Sequence, residues 1–230
     1  MISVDKSSLG QAFDGTSILE RWSGRWRVAL NDWFDSGLLE AAGLQALDLE
    51  GRSLEFHAWL RSERDLDFRD LPPISLAKSS ILSGAQAAFL SDTPRILISD
   101  TWIEGASDNQ VLSVLNEELG HYLDATFNAV DTPGDEGELF ALILAGTAIS
   151  PHQLASLKLE NDHGVVALSG INYLAEYSQI TGGATNENLE GGPGDDVILP
   201  GLGQDRVDGK GGDDLLVVDY SSLPEAMVAE

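Results

Sequence analysis

From Gly182 onward the chain repeats every nine residues: "GGATNENLE", "GGPGDDVIL", "PGLGQDRVD", "GKGGDDLLV". The sixth place of each unit holds an acid, Glu187, Asp196, Asp205 or Asp214, and the eighth an aliphatic residue, Leu189, Ile198, Val207 or Leu216. Glycines let the backbone turn tightly and bring its carbonyls close to an ion. The acid adds a carboxylate, and the aliphatic residue turns into a thin apolar core. An acidic glycine-rich linker would not keep four units in one register. Thr185, Glu187, Pro200 and Lys210 depart from the consensus, so the array is short. Solenoid units need neighbours, so it leans on the preceding domain or on sequence after Glu230.

The pattern resembles the calcium-binding nonapeptide repeat of RTX proteins, G-G-x-G-x-D-x-U-x. The resemblance implies a parallel β-roll in which each unit makes half a turn, so units two apart stack. Asp196 then faces Asp214, Glu187 and Asp205 share the other edge, and Asp196, Asp205 and Asp214 are the expected Ca²⁺ ligands. It also implies an extracellular or cell-surface protein exported by type I secretion.

Composition agrees. A net charge of −25 excludes nucleic acid as a partner, because phosphate binding needs clustered Lys and Arg. It suits calcium, which takes hard oxygen ligands. The chain has no cysteine, which removes disulfide scaffolds and thiolate metal sites. No apolar run reaches the roughly eighteen residues of a membrane span. The start "MISVDKSSLG" lacks the pattern of a cleaved export signal.

Residues 1–180 read as a globular domain, 181–219 as the roll, and 220–230 as a tail or the start of further sequence. "SILERWSGRWRVALNDWFDSGLLEAAGL" has helical period, its tryptophans serving as core. "SLEFHAWLRS" alternates like a strand. "RDLPPISLAKSS" predicts a turn and a short strand, and "PRILISDTWI" a strand running into a polar turn. "SDNQVLSVLNEELGHYLDATFN" predicts a helix capped by Ser107 or Asp108, and "EGELFALILAGTAI" a second helix. "HGVVALSGINYLAEYS" predicts a closing hairpin.

On the first of these two helices Val111, Leu115, Leu119 and Leu123 form an apolar arc, and Glu117, His121 and Asp124 stand opposite it. "EELGH" differs by one residue from the His-Glu-x-x-His of zinc peptidases, in which i and i+4 hold the metal and the intervening Glu polarises water. Glu117 and His121 take the ligand places and Glu118 the catalytic one. A solvated polar face fits the same spacing. Glutamate for histidine keeps the reach but leaves a Zn²⁺ centre neutral where His₂Glu leaves it at +1, so bound water is acidified less. An oxygen-rich site also accepts other divalent metals.

The stretch from "FRDLPPISLAKSS" to "EELGHYLDATFNAVDTPGDEGELFA" resembles a domain of large cyanobacterial-type RTX proteins, which share the EE-x-G-H helix and the D-x-P-G-D-E-G turn. It is more distantly similar to gluzincin metallopeptidases. That likeness implies an α+β, zincin-like domain ahead of the roll. It also implies Zn²⁺ or another divalent metal on His121, Glu118 as general base, and Glu136 or Glu138 as third ligand. Glu136 shares a side with Phe140 and Ile143 and so points inward, which makes it the expected choice. The strand at Ile96–Ile98 would pair with an extended peptide. Two functions stand side by side: peptide-bond hydrolysis, or a non-catalytic pseudo-peptidase module that binds a protein partner.

Overall fold

A computed structural model describes residues 15–49, 51–82, 85–130, 132–158, 163–178, 180–181, 188–190, 197–201, 203–209 and 215–218. Mixed helix and sheet make an α+β protein. Three helices open it: α1 (Gly15–Asp35), α2 (Leu38–Ala46) and α3 (Ser53–Asp65). Next come β1 (Ile74–Ala77), β2 (Ala87–Leu90), β3 (Arg95–Ser99) and α4 (Asp100–Gly105). The long helix α5 (Asp108–Phe127) is followed by α6 (Glu136–Leu144), α7 (Pro151–Leu157), β4 (His163–Leu168) and β5 (Ile171–Ser178).

The expected strand at "SLEFHAWLRS" is instead α3. Its alternation is coincidental: Leu54 is 82% exposed, while Phe56, Leu60 and Glu63 are buried at helical spacing. The polar turn after β3 is the short helix α4, started by the Ser99 hydroxyl, which accepts from Trp102 N at 3.3 Å. Ser107 caps α5 in a reciprocal box with Gln110. The hairpin forms as expected, with β4 antiparallel to β5.

These strands make one mixed sheet in the order β1-β3-β2-β5-β4. Here a second expectation fails. Strand β3 is not an edge: β1 pairs with one side of it in parallel and β2 with the other in antiparallel. All its ladder positions are taken, so Ile96–Ile98 cannot pair with a peptide. The short run after Pro72-Pro73 supplies the outer strand instead.

Helix α5 is buried on both faces. Its apolar arc, Val111, Leu115, Leu119 and Leu123, is 0–1% exposed. Trp26 Nε1 donates to Asn116 Oδ1 at 2.9 Å, tying α1 to α5, and Tyr122 meets Phe89 of β2 edge-on. A helix enclosed this way must bury its polar stripe too, which makes that stripe costly unless its groups serve one another.

One buried acid outside that stripe carries a testable cost. Glu63 is 6% exposed, and burial first, then the charge of Asp70, raises its pKa above the ordinary carboxylate value. A raised folded-state pKa means the ionised form is penalised by folding. The penalty is fully present above that pKa and vanishes as pH falls through it towards the unfolded value near 4.3. Glu63→Gln is therefore expected to stabilise the protein on the order of 1 kcal/mol at pH 7. In urea unfolding, that gap to wild type should close at about pH 4.

Among the described residues, β6 (Ile180–Thr181) lies just ahead of the repeats, and β7 (Asn188–Glu190), β8 (Val197–Leu199), β9 (Arg206–Asp208) and β10 (Leu215–Leu216) lie within them. Strand β8 pairs in parallel with both β6 and β10, and β7 pairs in parallel with β9. The register Leu189↔Val207 and Ile198↔Leu216 joins residues eighteen apart, so units two apart stack. Leu189 and Ile198 are buried, whereas Leu216 is 51% exposed on the outermost strand of its stack. Asp205 directly precedes β9. Glu187, Asp196 and Asp214 lie outside the described residues.

Candidate metal centre

Helices α5 and α6 cross at two glycines. A Cβ built on Gly120 would meet Gly137 Cα at 2.7 Å, so neither position admits a side chain without a shift. The glycine before His121 therefore has a packing role: it lets α6 approach until the helix N-terminus faces the acidic stripe of α5. Asp124 fastens the intervening loop. Its carboxylate accepts from Asn128 Nδ2 at 2.7 Å, from Thr132 N at 3.1 Å, and from the Thr132 hydroxyl. Asp135 then caps α6, accepting from Glu138 N at 2.6 Å.

His121 lies at the middle, 0% exposed. Its Nδ1 is 2.9 Å from Glu136 Oε1 and 2.8 Å from Glu176 Oε2. Two groups of possible ligand atoms, each within 4.8 Å of one another, share this imidazole: Glu117–His121–Asp135 and His121–Glu136–Glu176. Of the residues expected from the sequence, Glu117 and His121 fall together and His121 and Glu136 fall together, but Glu117 and Glu136 belong to separate groups. Glu118 is fully buried, joins neither group, and acts on Glu117 through its charge. Glu138 is half-buried and also repels Glu117.

The electrostatics follow from burial. Desolvation is the largest effect on Glu117, followed by the charges of Asp135, Glu138 and Glu118, and together they hold its pKa well above the usual carboxylate range. Asp135 is raised for the same first reason, and Glu136 is pushed up to about 7, with His121 opposing. Burial works against charge on His121, but Glu136 and Glu176 outweigh it and raise the imidazole well above its ordinary value. At neutral pH the nest thus keeps protons that exposed acids would lose. A divalent cation could replace them, since its charge offsets several carboxylates at once.

Two contributors were not expected from the sequence. Asp135 reads as a helix cap or an orienting group, and it does cap α6, yet it also lies beside Glu117 and His121. Glu176 is the second. Its signal was available: it is the only charged residue of "INYLAEYS", an acid inside a strand that pairs on both sides.

Residues 181–216 match the family model of the RTX calcium-binding nonapeptide repeat, in four copies. That is a calcium-binding RTX repeat region. No curated protein and no solved structure matches the chain. The α+β unit ahead of the repeats thus stands on its own geometry. No helix among the described residues is long and apolar enough to cross a membrane.

Proposed function

We propose that this is an exported RTX protein in which a calcium-binding roll follows a non-catalytic, cation-stabilised binding module. The cation is held at His121 by one of the two carboxylate groups that share its ring, Glu136 with Glu176 or Glu117 with Asp135. One imidazole among carboxylates suits Zn²⁺, Mn²⁺ or another hard-to-borderline divalent ion. The partner is a protein or peptide, and export follows the type I route that RTX repeats imply. Calcium folds the roll outside the cell, because its crowded carboxylates repel until ions neutralise them.

The full burial of His121 and Glu118 carries the choice of a binding module over a hydrolase. A hydrolytic metal needs an open coordination position that substrate and water can reach. Here the would-be base and the imidazole are both enclosed, and the strand ahead of the helix has no free ladder. When bound, the ion would supply charge neutralisation and cross-linking of α5 to its neighbours.

Hydrolysis remains as a second reading because of one observation. Clefts of about 470 and 390 Å³ flank the nest, the first reaching Asp135 and Glu136, the second Asp124 and Glu176. In that reading Glu118 takes a proton from water and a zincin-like site cuts peptide bonds. Cleavage of unstructured protein substrates by wild type, Glu118→Gln and Glu117→His separates the two. The module reading expects no cleavage by wild type or Glu118→Gln, even with Zn²⁺ and Ca²⁺ present. Wild-type cleavage that Glu118→Gln abolishes would overturn it.

A further inference from the structure

We infer that Glu176 is a ligand of the buried cation together with His121 and Glu136, and that through it calcium binding to the roll tightens the grip on that cation. This rests on the reading of the nest as a cation site. The first observation is local. Two carboxylate oxygens from different elements, Glu136 of α6 and Glu176 of β5, approach the same ring nitrogen at 2.9 and 2.8 Å. A ring nitrogen carries at most one hydrogen, and here it is hydrogen-bonded to Glu136 Oε1 while the buried Glu176 Oε2 makes no hydrogen bond. A cation at the junction binds all three atoms. Donors around an ion with bonds of about 2.0–2.2 Å lie roughly 3–3.5 Å apart, so only a small opening is needed. Both carboxylates are already desolvated, at 3% and 7% exposure.

The second observation is topological. Strand β5 ends at Ser178 and β6 begins at Ile180, so the strand bearing Glu176 runs almost directly into the roll. Strand β6 is the first rung of the stack: Ile180 pairs with Ile198 and Thr181 with Leu199, and β8 pairs onward with β10. Strands β8 and β10 of that stack belong to the second and fourth nine-residue units. With the roll folded, the end of β5 is held between two sheets. With the roll unfolded, its last rungs, Tyr177 and Ser178 against Ala88 and Ala87, become a strand end, the part of a sheet that opens at least cost. Glu176 is the next residue inward. Calcium therefore holds a metal ligand in place without touching it.

Such coupling is reciprocal: whatever factor calcium adds to cation affinity, the cation adds to calcium affinity. The test is Zn²⁺ titration of the full chain by calorimetry, without calcium and at about 5 mM, above the range of weak extracellular calcium sites. Binding at the nest is defined as the part His121→Ala removes. We expect it to tighten about tenfold in calcium, within the usual span of coupling between sites. Glu176→Gln, which keeps shape and strand pairing, should weaken zinc and lose the calcium effect. Asp205→Asn should require more calcium for the same gain. Zinc removed by His121→Ala but bound equally tightly, or more weakly, in calcium overturns the coupling and leaves the cation site standing. Glu176→Gln with unchanged zinc affinity overturns its role as ligand. Zinc binding that His121→Ala does not diminish overturns the site itself.

Discussion

Gly137→Ala is expected to destabilise the protein by about 3 kcal/mol, the upper range for overpacking, and to lower its melting temperature by roughly 6–12 °C. The added methyl would lie 2.4 Å from His121 Cε1, 2.5 Å from its Nε2 and 2.8 Å from the Glu117 carbonyl oxygen. None of these can withdraw cheaply, since the ring is enclosed by carboxylates and the carbonyl belongs to α5. Gly120→Ala should behave alike, its methyl 2.7 Å from Gly137 Cα. Gly24 is the control. It sits within α1 with nothing within 4 Å of its Cβ position, so Gly24→Ala should stabilise by about 0.5–1 kcal/mol. Thermal melts of the three variants check opposite signs for one chemical change. If Gly137→Ala melts like Gly24→Ala, the two helices do not meet at these glycines.

The second large effect is that of the cation. Zn²⁺ at a hundred times its dissociation constant should stabilise the folded chain by about 2.7 kcal/mol, raising the melting temperature by roughly 5–10 °C at this size. Protons compete for the same donors. Burial pushes Glu136 up to about 7, and Glu136 and Glu176 hold the His121 imidazole well above its ordinary value against its own burial. Metal binding must displace both, so the stabilisation should grow as pH rises from 6 to 8. Differential scanning calorimetry with calcium held saturating isolates this from the roll. His121→Ala should abolish the zinc response at every pH. A response of undiminished size in that variant would put the ion elsewhere on an acidic surface.

Much of this molecule was legible in its residues. The resemblance carried by the nine-residue period implied the stacking of alternate units, and β7 pairs with β9 and β8 with β10 accordingly. The helix bearing Glu117, Glu118 and His121 followed from period, and of the two caps expected, Ser107 or Asp108, the structure takes Ser107. What stayed hidden depended on tertiary surroundings. Whether "SLEFHAWLRS" alternates or coils was decided by Phe56, Leu60 and Glu63 packing on one side, beyond the reach of a ten-residue window. That β3 is internal was decided by β1, a four-residue strand with little pattern of its own. The polar stripe of α5 looks like a solvated face until α6 and β5 close over it. Glu176 comes from a strand that begins fifty residues after His121, and no local spacing relates the two.

The most direct test of a buried cation at His121 is metal content. The full chain, exchanged into Zn²⁺ and saturating Ca²⁺ at pH 8 and freed of loose ions by gel filtration, is measured by mass spectrometry of the elements. One zinc ion per chain in the wild type and none in His121→Ala is the predicted result. Equal zinc in the two proteins, or zinc in neither, would contradict it.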